Sequence, residues 1–369
     1  MFFIFQSLYL EEWGASPVLI GSLLSVNGVA MAVAMLPSGY LSDRLGPRPL
    51  IWISWIVGAL AAWGMALANS LPLFVVAMFM YYSSGFSMPP LNSYIVRVRG
   101  KLGVERALTL TSVMYNVGAI LGPTIGGWIG SVKNLKSIYS FSAAIMVLSV
   151  IVILFIQKLD VEKDEQTATA LPKTRRFHPR FWGFVALSTL TMFAVYMPQP
   201  LTSNFLQNIR GLDLATIGKM GTLGSLGNVV VMLSLGSLPA YFGILAGMVL
   251  VGFFSLLILQ GNNTAWYGAA YFLFGGFRLG KAMIIAFARN LVEPKKLGLA
   301  YGFLESANAV SFILAPILAG FLYEQKPESV YSVNLILIVL ITIVNAVFLY
   351  RIQQGARAAV LDTEKSIQI

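Results

Sequence analysis

Arg278 and Lys281 are out of keeping with their surroundings, because both stand inside the apolar stretch 264–289. A spacing of three residues puts them on one face of a helix. Facing lipid at mid-depth, each would cost about 2.5–3.5 kcal/mol, so they must face protein or water. Glu305, eight residues into the next apolar stretch, comes to a similar depth when both stretches are counted from the polar segment between them. Such a cluster supports two kinds of chemistry. Either one cation stays free of Glu305 and receives an anionic or strongly polar ligand, or Glu305 takes up a proton and releases the pair. The structural alternative is a buried ion pair or triad that only ties two helices together.

Covalent chemistry has little support. The chain has no cysteine, no Gly-x-Ser-x-Gly and no paired aspartates inside an apolar stretch, and its single histidine, His178, lies in the most polar segment. Acid–base catalysis would rest on Glu305 alone, so an enzyme is not expected, nor is a cofactor or a His/Cys metal centre.

The elements that position these groups follow from composition. With 57% hydrophobic and 11% charged residues over 369 positions, the chain reads as an all-α polytopic membrane protein. Candidate spans run over 17–40, 50–70, 73–98, 106–131, 136–157, 181–206, 214–238, 244–261, 264–289, 297–321 and 329–350. Residues 1–10 are apolar but span only about 15 Å at 1.5 Å per residue, so they read as half of a first helix that begins before this chain does. No basic flank or small-residue cleavage site marks them as a signal peptide.

Residues 158–180 crowd acidic and basic side chains together and separate an amino-terminal bundle, 1–157, from a carboxy-terminal bundle, 181–350. That linker and the polar tail 351–369 are expected to be flexible. Eighteen of the 25 Lys and Arg fall on the linker's side of the membrane and five on the other, which puts linker and tail in the cytoplasm. The net charge of +10 therefore reports orientation and not a nucleic-acid partner. An internal repeat supports two halves: Gly118-x-x-x-Gly122-Pro123-x-x-Gly126-Gly127 aligns with Ser311-x-x-x-Ala315-Pro316-x-x-Ala319-Gly320 at an offset of 193. Glycines four apart let a neighbouring helix approach closely, and Pro123 weakens the helix at a bend. Tandem helical halves mark transporters that rock about a midplane site.

Between the first two complete spans lies Gly39-Tyr40-Leu41-Ser42-Asp43-Arg44-Leu45-Gly46-Pro47-Arg48-Pro49, a stiff charged turn at a membrane surface. It resembles the loop between the second and third helices of the major facilitator superfamily, with Gly39, Leu41, Asp43, Arg44, Gly46 and Arg48 on the pattern. The run Gly118 to Gly127 resembles the fifth-helix motif of that family's antiporter branch. The resemblance implies two pseudo-symmetric six-helix bundles, the first helix truncated here, with the first, fourth, seventh and tenth helices lining a central cavity. It implies a gating role for the charged loop, with Arg97, Arg99, Glu105 and Arg106 as partners, in place of simple anchoring to lipid phosphates. It also adds cavity candidates: Tyr81, Tyr82 and Asn92 in the fourth helix, Asn116 in the fifth, and Tyr196, Gln199 and Asn204 in the seventh.

The expectation is a monomeric secondary transporter of the cell membrane that moves a small organic molecule by alternating access, as efflux by proton antiport. Organic-anion uptake or exchange at Arg278 and Lys281 is the alternative, and a non-transporting sensor on the same fold is a third reading. The fourth-helix arginine of many drug antiporters is replaced here by Tyr81, which leaves Glu305 as the strong carboxylate candidate for a proton.

Overall fold

A computed structural model of the chain describes residues 1–157, 177–293 and 297–367, and regular structure among them is helical throughout. The helices are α1 Gln6–Glu12, α2 Pro17–Leu45, α3 Pro47–Leu67, α4 Leu71–Ser83, α5 Met88–Val98, α6 Val104–Val132, α7 Leu135–Leu154, α8 Pro179–Tyr196, α9 Thr202–Asn204, α10 Leu214–Leu235, α11 Ala240–Gln260, α12 Thr264–Leu273, α13 Gly276–Ala288, α14 Leu297–Gln325 and α15 Ser329–Ile367. Among the described residues, seven helical segments are long and apolar enough to cross a membrane. The other long helices, such as α6 and α10, dilute their apolar residues with glycine, serine and threonine.

Local chemistry explains the boundaries. Ser16 caps α2 by accepting the Leu19 N–H, and Pro17 is its first residue. Gly46, at φ +78°, turns the chain sharply before Pro47 opens α3. The two prolines that stop the preceding run thus also start the next one. Asn134 and Asn263 cap α7 and α12, and His178 caps α8 through Nδ1, which accepts the Arg180 N–H at 3.2 Å.

Three of the central helices are interrupted. Between α4 and α5 the chain takes a tight turn, Ser84–Ser87, before Met88-Pro89-Pro90 restarts the helix. Between α12 and α13 the break falls at Phe274–Gly275, the corresponding place in the second half. After α8, Pro198 and Pro200 deny backbone donors, and α9 continues into a wide π turn, Phe205–Ile209.

Polar side chains join helices inside each half. Asn334 on α15 donates to the Ala194 carbonyl of α8 at 2.6 Å and accepts from Ser255 on α11 at 2.7 Å. In hydrocarbon such bonds hold helices together where apolar contact alone has no driving force.

The tail expected to be flexible is helical as far as Ile367, as a continuation of α15. Its alanine, glutamine and arginine content favours helix, and no proline stops it. Residues 158–176 of the expected linker lie outside the described residues.

Asp213 caps α10 by accepting the Thr216 N–H at 3.0 Å, and the Thr216 hydroxyl and N–H hold its carboxyl below the usual carboxylate range. The stabilisation is present above the unfolded carboxylate value and is lost as pH falls through the lower native value. Asp213→Ala should therefore destabilise the protein by about 0.5–2 kcal/mol at pH 7. Thermal unfolding in detergent should show that difference shrinking in acid, and an equal difference at both pH values would count against the cap.

Candidate functional site

The two halves, α1–α7 and α8–α15, meet on the side of the membrane away from the linker. There α2 lies against α14 and α6 against α10, at backbone distance. A methyl group on Gly127 would lie 2.5 Å from the Leu214 carbonyl oxygen, and one on Gly320 would lie 2.6 Å from that of Pro17. Only glycine permits this approach. Side chains then stitch the backbones together. Ser25 donates to the Ile313 carbonyl at 2.5 Å, Thr222 to that of Ile120 at 2.5 Å and Ser225 to that of Ala119 at 2.8 Å. At the outer end the Glu11 carboxylate of α1 accepts from the Asn204 and Asn208 amides at 2.5 and 2.7 Å.

Toward the linker the same helices separate. Gly118 on α6 and Gly302 on α14 have nothing within 4 Å of a built methyl group. Met114 on α6 and Leu233 on α10 are exposed. The hydrogen bonds and glycine contacts that join the halves therefore lie toward the far side.

Arg278 and Lys281 stand one turn apart on α13. Gly276 and Gly280 pack against Gly247 of α11, while Gly275 packs on Gly227 and Asn228 of α10. At 3.6 residues per turn, Arg278 points away from α11 and is exposed. Lys281 turns toward α14, where its ammonium lies 3.1 Å from Glu305 and 5.8 Å from the centre of the Phe312 ring. Lys281 is 28% exposed and Glu305 49%, so the pair is wet and weakly held. Arg278 has no hydrogen bond or ion pair among the described residues. Beside the charges stands an aromatic wall: Tyr196 meets Phe312 edge-on at 4.6 Å and Phe277 at 5.9 Å. At this depth the described side chains offer two cations and one carboxylate next to aromatic faces, an arrangement able to hold an amphipathic ion.

The family model for the Major Facilitator Superfamily matches residues 1–279 and 240–366. The chain belongs to the major facilitator superfamily. It is 21% identical over 324 residues to "Multidrug resistance protein 2" of Bacillus subtilis (strain 168), covering 83% of this chain and 80% of that protein. It is 21% identical over 339 residues to "Quinolone resistance protein NorA" of Staphylococcus aureus (strain COL), covering 87% and 85%. The fold matches a crystal structure of the nucleoside transporter NupG with a TM-score of 0.78 at 15% identity, over 94% of this chain and 93% of that one. This facilitator is accordingly a multi-pass membrane transporter and not an enzyme.

Within the facilitator fold the expected site residues separate into groups. Lys281 and Glu305 pair beside Phe312, which Tyr196 meets edge-on, while Arg278 stands exposed one turn away on α13. Tyr82 gives its hydroxyl to Gln6 of α1 at 2.6 Å, and Tyr81 packs edge-on against Phe2 and Phe3, so both line up with the first helix. Asn92 and Gln199 are exposed.

Asn204 departs from its expected place in the cavity: it is buried, and its amide is committed to Glu11 and to the Ser7 carbonyl in the outer closure. Asn116 folds back on the Ser112 carbonyl of its own helix at 2.8 Å, which a helical amide one turn away does readily. In the glycine run, Gly127 and Pro123 meet α10, while Gly122 and Gly126 receive Met1, Phe5 and Ile138 of their own half. Gly118 was expected to pack as well but faces open space, although the carbonyl of the next residue, Ala119, accepts from Ser225 of α10.

The charged turn expected to act as a gate is described only in part. Gly39, Asp43 and Arg44 have side chains outside the described residues, as does Glu105. Arg48 stacks on Trp52 at 4.1 Å, and Arg97 and Arg106 are exposed without an ion pair among the described residues.

Several buried polar residues escaped sequence reasoning, among them Asn27 on α2, with neither side-chain polar atom paired among the described residues. Asn308 on α14 is buried with neither side-chain polar atom paired, and Asn228 beside Gly275 has an unpaired Oδ1. The available signal was an amide inside an apolar span, three residues from Glu305 in the case of Asn308.

The outer closure depends on the Glu11 carboxylate, whose hydrogen bonds are charge-assisted and worth about 1.5–3 kcal/mol each. Asn204→Ala should therefore open the far side more often, by roughly tenfold or more. The chain has no cysteine, so a single Ala215→Cys substitution beside Gly127 provides a reporter. Faster labelling by an impermeant maleimide in the Asn204→Ala background is the expected outcome, and an unchanged rate would remove Asn204 from the closure.

Proposed function

We propose that this facilitator exports a small amphipathic organic anion by alternating access through the cavity between its halves. The observation that carries the reading is Arg278: an exposed guanidinium inside an apolar helix, turned away from α11, without a counter-charge among the described residues. Lys281 and Glu305 cancel one another to first order, so the described charges at this depth leave one positive charge for a ligand to neutralise. An anion lowers the cost of closing the cavity around that charge, whereas a cation raises it. Tyr196, Phe277 and Phe312 supply the apolar face that an amphipathic body requires.

The multidrug and quinolone resistance proteins among its relatives support outward transport. The excess of Lys and Arg on the linker side supports a cytoplasmic linker and carboxy terminus, which makes the open mouth the cytoplasmic one. Binding from the cytoplasm is then the first step of export.

Exchange of a neutral or cationic amphiphile for protons is a second reading. It is favoured by the half-exposed carboxylate of Glu305 and by the fifth-helix motif. The two readings part on two substitutions. In the anion reading, Arg278→Ala should weaken binding of an aromatic carboxylate by about 10- to 100-fold, the loss of a charge-assisted bond, with Arg278→Lys keeping part of it. Glu305→Gln, which mimics the protonated side chain, frees Lys281 and should bind the anion more tightly. In the proton-exchange reading Glu305→Gln abolishes flux driven by a pH gradient and Arg278→Ala is tolerated. Flux in proteoliposomes with anionic, neutral and cationic aromatic probes, with and without a pH gradient, decides between them.

A further inference from the structure

We infer that the groove between α11 and α15 on the linker side is a headgroup site for an anionic phospholipid, with Arg351 taking the phosphate. None of the residues that line it belongs to α13, so the site is separate from Arg278 and Lys281 and does not depend on what is transported.

The two helices are joined at mid-depth. Ile338 packs on Gly252, and Thr342 and Asn345 of α15 reach the Met248 sulfur of α11 at 3.7 and 3.5 Å. Toward the linker a groove of about 380 Å³ opens between them, lined by Tyr241, Ala346, Val347, Tyr350 and Arg351. Its level in the membrane follows from the spans. Ala240–Gln260 and Ser329–Arg351 are each long and apolar enough to cross, and they run antiparallel, so Tyr241 and Arg351 stand at the ends of two spans at one membrane surface. Val347 lies about 6 Å deeper at 1.5 Å per residue. The groove therefore runs from a cation and two phenols at headgroup level to an apolar floor in hydrocarbon. A phospholipid has the same profile, from phosphate to acyl chain.

Charge selects the lipid. Arg351 is exposed and has no ion pair or hydrogen bond among the described residues, and the segment 236–243 that leads into α11 carries no charged side chain. A guanidinium presents a planar fork of donors that fits two phosphate oxygens. The Tyr241 and Tyr350 hydroxyls, also without a hydrogen bond among the described residues, can donate to the same headgroup. A zwitterionic headgroup would bring its own cation to this place, so a net-negative one is preferred. An arginine that merely snorkels to any phosphate at the surface would need no groove, and the two cases part experimentally.

The test is native mass spectrometry of the full-length chain in detergent, titrated with dioleoyl phosphatidylglycerol or dioleoyl phosphatidylcholine. The first phosphatidylglycerol is expected to bind about fivefold more tightly than the first phosphatidylcholine, the effect of one cation near a lipid phosphate. Arg351→Ala should erase that preference while leaving phosphatidylcholine binding and thermal unfolding unchanged, and Arg351→Lys should keep part of it. Val347→Trp, at a position 49% exposed, fills the apolar floor and should weaken both lipids. Arg180→Ala, at an exposed basic residue that opens α8 on the same side, should retain the preference. An unchanged preference in Arg351→Ala, or no preference in the wild type, overturns the inference. An equal loss in Arg180→Ala assigns the preference to net charge and also overturns it. Normal binding of both lipids in Val347→Trp reduces Arg351 to a surface anchor, and competition by glycerol phosphate at equal concentration assigns the cation to a free phosphate; either result removes the lipid from the groove.

Discussion

A charged side chain halfway through a hydrocarbon layer needs water or an opposite charge, and that constraint governs this fold. Arg278, Lys281 and Glu305 persist at mid-depth because two helical halves leave a wet space between them. In the proposed reading, closing that space on both sides at once would strand Arg278, which has no counter-charge among the described residues, unless a ligand of the right charge were in place. Alternating access would then be the mechanical form of an electrostatic requirement.

The closure on the far side shows how a membrane protein makes a reversible seal without a hydrophobic driving force. Gly127 and Gly320 bring backbones into contact, and Ser25, Thr222 and Ser225 donate to carbonyls across the interface. Each bond is short, and each has a water alternative once the halves part. A seal of bulky apolar side chains would have no such alternative, since lipid is as apolar as they are. Glu11 adds the one charged element, a carboxylate held by two amides at the outer rim, where solvent can replace them.

Several residues read from the sequence were right in kind but misplaced in role. Asn204 is an intramembrane amide, and such residues usually serve function, yet its partner is Glu11, 193 residues earlier in the chain. A contact of that range leaves no local trace. Gly118 sits in a motif whose spacing suits close packing, but its own Cα faces open space while the neighbouring Ala119 meets α10, and which side of a helix meets a partner is a property of the pair. Asn308 shows the reverse failure: its burial and its lack of a partner among the described residues are invisible until the helices are packed.

What the sequence determined by itself is the set of elements and the family. Apolar runs long enough to span a bilayer, the charged turn at Gly39 to Pro49, the repeat at an offset of 193 and the two intramembrane cations all arise from local composition and spacing, which hydrocarbon reads directly. The depth of Arg278, Lys281 and Glu305 follows from the same counting. Only the tertiary structure decided which of them pair, which side of the cavity is closed and which amides are committed to the closure. Those outcomes depend on the rotation of each helix about its axis and on where helices from different halves come within reach, and neither quantity is carried by any single stretch of chain.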